Sequence, residues 1–454
     1  MLLKNLENKK ILILGFGQEG IDSYLALRKM FPNKVLAVAD KKEIGQFDKK
    51  TQAILAKDKN LKKYFGPSYL AKARDYDLII KTPGISRKEL NSFLHGRSLT
   101  PSASRITSQT EIFFDNFPGL IIGVTGTKGK GTTSGLIYQI LKNAGFKAYF
   151  LGNVGNPVMR YLLGSKADHI AVYEISAQQL QGLKKSPHIA VFLNLFSDHL
   201  DYFANFQEYA KAKANITIHQ TKNDLLIYNG HDSLVKKIAQ QSTARQIAFS
   251  KAKLKIVEDI ISPKEIPLPG DFNRLNVLAA ILATAPFNIP KEKIKKAIKN
   301  FHNLPHRLEF VGKYQGIEFY NNSMATVPET TILDLQTFNG KPISLIVGGS
   351  DKGSDYNLLA KEIVKSSVKN LIILGQGTGQ KIEEGAKLLP DRKELRSFQA
   401  ETMEEAVKIC YQKTPKNGVC LLSPASASFN MFKDYQDRGE QFKKWVKKYG
   451  QKNA

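Results

Sequence analysis

A glycine-rich segment with two lysines is the part of this sequence best suited to chemistry. Residues 123–133 have the sequence G-V-T-G-T-K-G-K-G-T-T. Glycines allow backbone N–H groups to close around phosphate oxygens, and the ammonium of Lys130 adds a full positive charge. A hydroxyl beside the lysine can ligate Mg²⁺. The segment therefore predicts a nucleoside triphosphate site, with contacts from Gly126, Thr127, Lys128, Gly129, Lys130, Gly131, Thr132 and Thr133.

The metal-binding hydroxyl is displaced from its position in the strict Walker pattern. Gly131 directly follows Lys130 and has no hydroxyl. Thr132 or Thr133 must then take that role, since a helix that follows the loop would bring them near the bound phosphates.

Two ionisable residues beside predicted strands are candidate site residues, Glu174 as a Mg²⁺ ligand and His199 as a metal or phosphate contact. Glu174 ends the run V-Y-E, and His199 lies in N-L-F-S-D-H-L-D. The carboxyl ends of parallel strands face the ligand crevice, and Mg²⁺ takes oxygen ligands together with phosphates and water. The alternatives are a surface glutamate and an exposed or structural histidine. For Lys213, helical spacing alone predicts only a solvated lysine.

The elements that must position these residues alternate between strand and helix. An apolar run at 120–122 precedes the glycines and an amphipathic run at 136–141 follows them, which predicts strand, loop and helix. Later strands are predicted at 169–175, 189–195 and 225–228, and helices at 205–219 and 274–285. This alternation predicts a mostly parallel sheet covered on both faces. Residues 108–303 are expected to form a central, P-loop ATPase-like domain that binds ATP.

A second glycine motif marks the start of the chain. Gly15, Gly17 and Gly20 form G-x-G-x-x-G after an apolar run, and a strand at 35–39 leads to Asp40, where an acidic residue would meet a ribose. With a strand and turn at 77–85, the pattern predicts a Rossmann-like domain over residues 1–107. The motif alone could serve a nicotinamide cofactor or only the diphosphate of another nucleotide.

The last third of the chain also alternates between predicted strands and helices. Strands are predicted at 343–347, 371–374 and 419–422, each followed by a helical pattern. Residues 304–454 are therefore expected to form a C-terminal Rossmann-like domain, and the whole chain an α/β protein of three domains. The length of 454 residues agrees with this number at roughly 150 residues per domain.

The amino-acid composition limits the classes of partner that the protein is expected to bind. The net charge of +26 suits nucleic acid, an anionic membrane surface or acidic small molecules. The lysines are scattered and no aromatic-basic platform is present, so we expect a phosphate-rich small-molecule substrate and no nucleic acid. The two cysteines lack metal spacing, and a disulfide framework is excluded by their number. With no signal-peptide core and no apolar run of about 20 residues, a cytoplasmic protein without membrane insertion is expected.

These motifs, in this order, resemble those of the Mur ligases, the ATP-dependent amide-forming enzymes of peptidoglycan precursor synthesis. The resemblance covers essentially the whole chain. It is carried by the phosphate loop and by five later segments. These are L-P-H-R at 304–307, N-S-M-A-T at 322–326, G-G-S-D-K-G at 348–353, S-P-A-S-A-S at 423–428 and F-K-D-Y-Q-D-R-G-E-Q-F at 432–442. The C-terminal segments most resemble the branch that adds D-glutamate to UDP-N-acetylmuramoyl-L-alanine.

The resemblance implies a role for each matching position. Lys130 and Thr132 would contact the ATP phosphates and Mg²⁺, with Glu174 and His199 as metal ligands. Lys213 matches a lysine that is carbamylated in the family and then holds a second Mg²⁺. The catalytic set is thus Lys130, Glu174, His199 and Lys213. The implied ligand contacts are Asn273 and Arg307 for ATP, Gln18, Asp40, Gly84 and Asn153 for the UDP-sugar, and Thr326, Lys352, Ser428 and Tyr435 for D-glutamate.

The sequence leaves alternatives open. A Mur ligase with a different amino acid or acceptor is one, because Asn322 and Met324 stand where Asp and Lys are common in the family and Phe272 replaces a frequent His. A nicotinamide-dependent oxidoreductase built on the first glycine motif is another. A nucleic-acid-linked ATP-binding module is the third, motivated by the charge. Within the ligase interpretation we expect a monomer.

Overall fold

The structure is a computed structural model, and it describes residues 2–86, 90, 106–152, 156–199, 202–301, 304–351, 353–390 and 395–452. The chain divides into two compact units. The first comprises Met1–Ile260 with Asn276–Ile298, and the second comprises Ile261–Leu275 with Lys299–Ala454.

The first sheet of the first unit has five parallel strands in the order β3-β2-β1-β4-β5. They are β1 (Ile11–Leu14), β2 (Leu36–Asp40), β3 (Leu61–Phe65), β4 (Leu78–Lys81) and β5 (Ile106–Ser108), with helices α1 (Gln18–Met30), α2 (Lys49–Lys57) and α3 (Gln109–Asn116). Every residue of β1 and β4 is buried, as expected for parallel strands with both faces covered. The strand order matches the first five positions of the doubly wound order 3-2-1-4-5-6, which confirms the Rossmann-like fold predicted for this part of the chain.

The second sheet of this unit has six parallel strands in the order β11-β10-β9-β6-β8-β7. Its strands are β6 (Leu120–Thr125), β7 (Ala148–Gly152), β8 (Ile170–Glu174), β9 (Ile189–Phe192), β10 (Leu225–Asn229) and β11 (Arg245–Phe249). The helices in this part of the chain are α4 (Lys130–Ala144), α5 (Ala177–Leu180), α6 (Phe206–Ala214), α7 (Ser233–Ala239), α8 (Lys255–Glu258), α9 (Asp271–Thr284) and α10 (Lys291–Lys299). The carboxyl ends of β6, β8 and β9, three neighbouring strands, meet at one edge of the sheet, where the predicted phosphate and metal residues lie.

The second unit has a six-stranded sheet in the order β12-β13-β17-β14-β15-β16. The strands are β12 (Glu309–Tyr314), β13 (Ile317–Asn321), β14 (Ile343–Val347), β15 (Val368–Leu374), β16 (Arg396–Ala400) and β17 (Val419–Leu422). Its helices are α11 (Pro328–Thr337), α12 (Asn357–Lys365), α13 (Thr378–Lys387), α14 (Met403–Lys413) and α15 (Tyr435–Lys452). Only the β12–β13 hairpin is antiparallel among the described strand pairs, so the α/β prediction is confirmed here too.

Several element boundaries differ from the predicted ones. The helix predicted at 205–219 ends at Ala214, and the one predicted from 274 begins at Asp271. The strand predicted at 371–374 begins at Val368. Such shifts arise because hydrophobic periodicity marks the buried middle of an element, whereas caps and turns set its ends.

Cys410 and Cys420 are both free and buried. Across the described residues, no helix combines the length and the apolar character that crossing a bilayer requires.

Candidate functional site

The phosphate loop has the strand–loop–helix geometry that its sequence predicts. β6 ends at Thr125 and α4 begins at Lys130, with Gly129 at the N-cap in the left-handed region at φ +86°. A Cβ on Gly129 would lie 2.6 Å from Oδ1 of Asn276, so only glycine fits this turn. The helix N-terminus at Lys130 directs backbone N–H groups and partial positive charge toward the loop, which together suit an anionic phosphate.

Lys130 curls back over the loop that precedes it. Its Nζ donates to the carbonyl of Gly126 at 3.0 Å and to that of Thr127 at 3.1 Å. The ammonium is thus held at the mouth of the loop, where phosphate oxygens would replace backbone carbonyls as its acceptors.

Asn194, which follows β9, fixes the other side of the loop. Its Oδ1 accepts from the Lys128 N–H at 2.8 Å, and its Nδ2 donates to the Lys128 carbonyl at 3.0 Å. The hydroxyl of Tyr209 also donates to Thr127 Oγ1 at 3.1 Å. These side-chain contacts hold the loop in shape.

Asp198 lies beside two residues that the sequence placed at the site. Its carboxylate lies 3.7 Å from Lys128 Nζ and 3.9 Å from His199 Nε2. Burial raises the pKa of Asp198, but the charges of Lys128 and His199 outweigh that effect and hold the pKa below its usual value. Asp198 is therefore an anion in the site at neutral pH, although the sequence pointed to it only as a neighbour of His199.

Lys213 is fully buried, which corrects the prediction of a solvated lysine. Its Nζ donates to the Gly126 carbonyl at 2.8 Å and lies 5.0 Å from the ring centre of Tyr209. Burial, followed by the positive charge of Lys130, lowers the pKa of Lys213 well below its usual range. A lowered pKa favours the neutral amine, which is a nucleophile.

The residues of this edge suit Mg²⁺ in the presence of phosphates. Glu174 ends β8 and is 1% exposed, and Thr132 lies in the first turn of α4. Among the described residues no group of three or more His, Cys, Asp or Glu could hold a metal by itself. Mg²⁺ commonly takes only one or two protein carboxylates, with phosphates and water as its other ligands, so the carboxylate of Glu174 and the hydroxyl of Thr132 are donors of the kind that this ion takes.

A cavity of about 270 Å³ brings much of the predicted catalytic set together. Lys130, His199 and Lys213 line it, and so does Gly84 from the first sheet. His199 is exposed on 46% of its side chain and adopts a left-handed backbone conformation at φ +56°. Non-glycine residues in that region often lie at functional sites, where surrounding contacts hold them in place.

A larger cavity of about 600 Å³ lies at the carboxyl ends of the first sheet. It is lined by Gln18, Asp40 and Gly84, three of the four residues predicted to contact the UDP-sugar. Asp40 accepts backbone N–H bonds from Phe16 at 2.6 Å and Lys42 at 2.9 Å. The fourth predicted residue, Asn153, lies outside the described residues.

Glu19, from the same glycine motif, is a partly buried acid that links the two sheets of the first unit. Its Oε1 accepts from Gln179 Nε2 at 2.7 Å. Burial raises the pKa of Glu19 to about 7, and the hydrogen bond with Gln179 offsets only part of that rise.

We expect this acid to make stability fall as pH rises. An unfolded Glu loses its proton near pH 4.5, whereas folded Glu19 keeps it until about pH 7, so the unfolded state binds fewer protons in that window. The substitution Glu19→Gln removes this pH dependence, because glutamine does not ionise. Its stability advantage over the wild type should grow from near zero at about pH 4.5 to as much as about 3 kcal/mol at about pH 8. Urea unfolding of both proteins at the two pH values measures this difference in unfolding free energy, with Glu7→Gln at an exposed position as the control. A difference that does not change with pH would contradict the prediction.

The predicted adenine and phosphate contacts, Asn273 and Arg307, belong to the second unit, where each makes a local hydrogen bond to the backbone. Asn273 is 1% exposed, and its Nδ2 donates to the Pro269 carbonyl at 2.7 Å. The Arg307 N–H bonds to the Leu304 carbonyl at 3.2 Å within the predicted L-P-H-R turn.

The predicted amino-acid contacts belong to two loops and one helix of the second unit. Thr326 follows β13, Ser428 follows β17, and Tyr435 begins α15. The Tyr435 carbonyl accepts from the hydroxyl of Ser323, which connects α15 to the loop that carries Thr326. Lys352, the fourth predicted contact, lies outside the described residues.

Comparisons with known proteins show the family of the chain. Residues 124–284 match the family model for the Mur ligase middle domain. The UDP-N-acetylmuramoylalanine–D-glutamate ligase of Ruminiclostridium cellulolyticum is 32% identical over 98% of this chain and 97% of its own length. The enzyme of the same name from Clostridium tetani is 34% identical over 98% of each chain.

Solved structures give the same fold at lower identity. The UDP-N-acetylmuramate–alanine ligase MurC of Thermotoga maritima aligns over 98% of this chain and 100% of its own, with a TM-score of 0.58 and 19% identity. MurF of the same organism, solved in complex with ADP, aligns over 85% of this chain and 92% of its own, with a TM-score of 0.54 and 16% identity. These two likenesses concern the fold alone.

Proposed function

The chain belongs to the Mur ligase family, and we propose how its own residues carry out the reaction of that family. It is an ATP-dependent ligase that adds D-glutamate to UDP-N-acetylmuramoyl-L-alanine in peptidoglycan precursor synthesis. The observation that carries the assignment of residues is the cavity that gathers Lys130, His199 and Lys213 beside the phosphate loop.

Amide formation needs an activated acid, because a carboxylate is a poor electrophile. In the first step a carboxylate oxygen of the acceptor attacks the γ-phosphorus of ATP, the bond to ADP breaks, and an acyl phosphate forms. In the second step the amine of D-glutamate attacks the acyl carbon, loses a proton, and phosphate leaves. Lys130 and the backbone N–H groups of the loop position the γ-phosphate and neutralise its developing charge.

Other residues around the phosphate loop would help to neutralise the negative charge of the phosphates. Glu174, Thr132 and His199 would hold Mg²⁺, and carbamylated Lys213 would hold a second ion. The metal, when bound, neutralises phosphate charge. Asp198 pairs with Lys128 and with His199, so we assign it the role of orienting both side chains toward the cavity.

We assign the cleft of the first sheet to the UDP-sugar. Gln18 and Asp40 line it, and Gly84 lines both this cleft and the smaller cavity that holds Lys130. A substrate bound along the cleft would therefore pass Gly84 and present its far end to the phosphate loop. Asn153 is kept as a further contact on the resemblance alone.

We assign the amino acid to the loops of the second unit, with Thr326, Ser428, Tyr435 and Lys352 as contacts, and ATP base and phosphate contacts to Asn273 and Arg307. We further propose domain limits of 1–107, 108–303 and 304–454, a monomer and a cytoplasmic location. The nicotinamide alternative explains only the first sheet, and the nucleic-acid alternative explains only the charge. The relatives matched over their whole length are ligases.

The decisive experiment separates the amino acid from its competitors. The protein is incubated with ATP, Mg²⁺, UDP-N-acetylmuramoyl-L-alanine and D-glutamate, L-glutamate or L-lysine in turn, and the products are weighed. We expect a product only with D-glutamate, together with phosphate release that requires both substrates. A product with another amino acid, or phosphate release without the acceptor, would overturn the assignment.

A further inference from the structure

Arg438, in the first turns of α15, is a fully buried cation that bonds to three separate loops. Its Nε donates to Ser323 Oγ at 3.0 Å and its Nη2 to the Ser323 carbonyl at 2.9 Å. Nη2 also donates to the Ser426 carbonyl at 3.0 Å, and Nη1 lies 3.4 Å from the carbonyls of Ala427 and Gly348. Each of these partners is a hydroxyl or a carbonyl oxygen, so the guanidinium is used to join backbone segments.

The close packing of these loops leaves no room for a side chain at Gly349. A Cβ there would lie 2.0 Å from the Ala427 carbonyl and 3.1 Å from Arg438 Nη1. The Ala427 carbonyl also accepts from the Ser350 N–H at 2.8 Å. Arg438 therefore lies at the point where the loops after β13, β14 and β17 converge.

Asp334, on α11, is a buried anion that joins two of the same loops at a second point. Its Oδ2 accepts from Asn322 Nδ2 at 2.6 Å and from Ser423 Oγ at 2.6 Å. Asn322 adjoins Ser323, and Ser423 begins the segment that contains Ser426. Asp334 is 1% exposed and Arg438 is 0% exposed, so both contacts operate away from water, where hydrogen bonds to charged groups are strongest.

We propose that Asp334 and Arg438 are positioning residues that set the spacing of the amino-acid pocket. Each one ties the loop at 321–326 to the loop at 423–428, the anion at one point and the cation at another. Contacts at two separate points prevent the loops from rotating relative to each other, whereas contacts at a single point would allow that rotation. Thr326 lies on the first loop and Ser428 on the second, so the spacing of these two contacts depends on both charges. This inference rests on the proposed amino-acid site.

The test exploits the fact that Asn322 and Asp334 can exchange places. Asp334→Asn removes the charge, and Asn322→Asp alone sets two carboxylates against each other. In the double swap, which combines Asn322→Asp with Asp334→Asn, the new amide at position 334 can donate to the new carboxylate at position 322 and still accept from Ser423. The contact between the two loops is then restored with donor and acceptor exchanged. Arg438→Lys keeps a charge but cannot reach the same set of oxygens.

Steady-state kinetics with all three substrates give the outcome. We expect Asp334→Asn and Arg438→Lys to raise KM for D-glutamate about tenfold to hundredfold, with KM for ATP and for the acceptor within about twofold. The double swap should return KM for D-glutamate to near the wild-type value. Val446→Ala, a buried position on the same helix as Arg438, should lower Tm without a selective change in KM.

The results separate this inference from the proposed function. If the wild type does not use D-glutamate, the proposed function fails. If it does, but the folded variants keep the wild-type KM for D-glutamate or raise all three KM values together, the positioning role is overturned. If a single variant does not fold, a folded double swap with raised KM for D-glutamate overturns it as well.

Discussion

Replacing Lys130 with alanine is expected to lower kcat/KM by about 10³-fold or more, with little change in the folded structure. Phosphoryl transfer depends almost wholly on positioning and charge neutralisation, and removal of one preorganised donor typically lowers the rate by about 10²- to 10³-fold. Lys130 adds a full charge to its hydrogen bonds, so the larger figure is expected. Acyl phosphate formation, measured as ADP release, should be the step lost.

The matched control for this change is Lys142→Ala. Lys142 lies on the same helix, exposed in its last turn, and its Nζ lies 5.7 Å from the ring centre of Tyr138. Its removal takes away one positive charge without touching the loop, so activity should stay within about twofold of the wild type. Full turnover by Lys130→Ala would remove the basis of the proposed mechanism.

Lys213→Ala is expected to lower kcat by about 10²-fold or more, and a small carboxylic acid should restore part of the activity. The neutral amine of Lys213 can attack CO₂ and lose a proton, which forms an N–C bond and leaves a carbamate anion. The carbamate nitrogen keeps one N–H, so its bond to the Gly126 carbonyl can persist while the new oxygens face the cavity. The depressed pKa of Lys213 favours this chemistry, because it increases the fraction of neutral amine.

Two measurements check the modification itself. Protein equilibrated with ¹³C-labelled CO₂ should show a carbamate carbon by NMR, and Lys213→Ala should not. Lys211→Ala, at an exposed position of the same helix, should keep both the signal and the activity. A wild type that keeps full activity without CO₂ and shows no label would refute carbamylation.

Much of the fold was predictable because its signals are local. The apolar run before Gly123 and the glycines at 126 and 129 determine a strand and a turn whatever else the chain does. The motif at Gly15–Gly20 and the strand that ends in Asp40 follow for the same reason. Element ends were less predictable, as in the helix that stops at Ala214, because caps depend on individual side chains and neighbouring turns.

By itself, the sequence determined the order of strands and helices, the phosphate loop with Lys130, and the strand ends that carry Glu174 and Asp40. Only the tertiary structure decided that Lys213 is buried, that Asp198 faces Lys128, and that Asp334 and Arg438 join the same two loops. The reason is physical. Backbone preferences act over a few residues, whereas burial and the pairing of charges depend on residues that are distant in sequence and become neighbours only when the sheets pack.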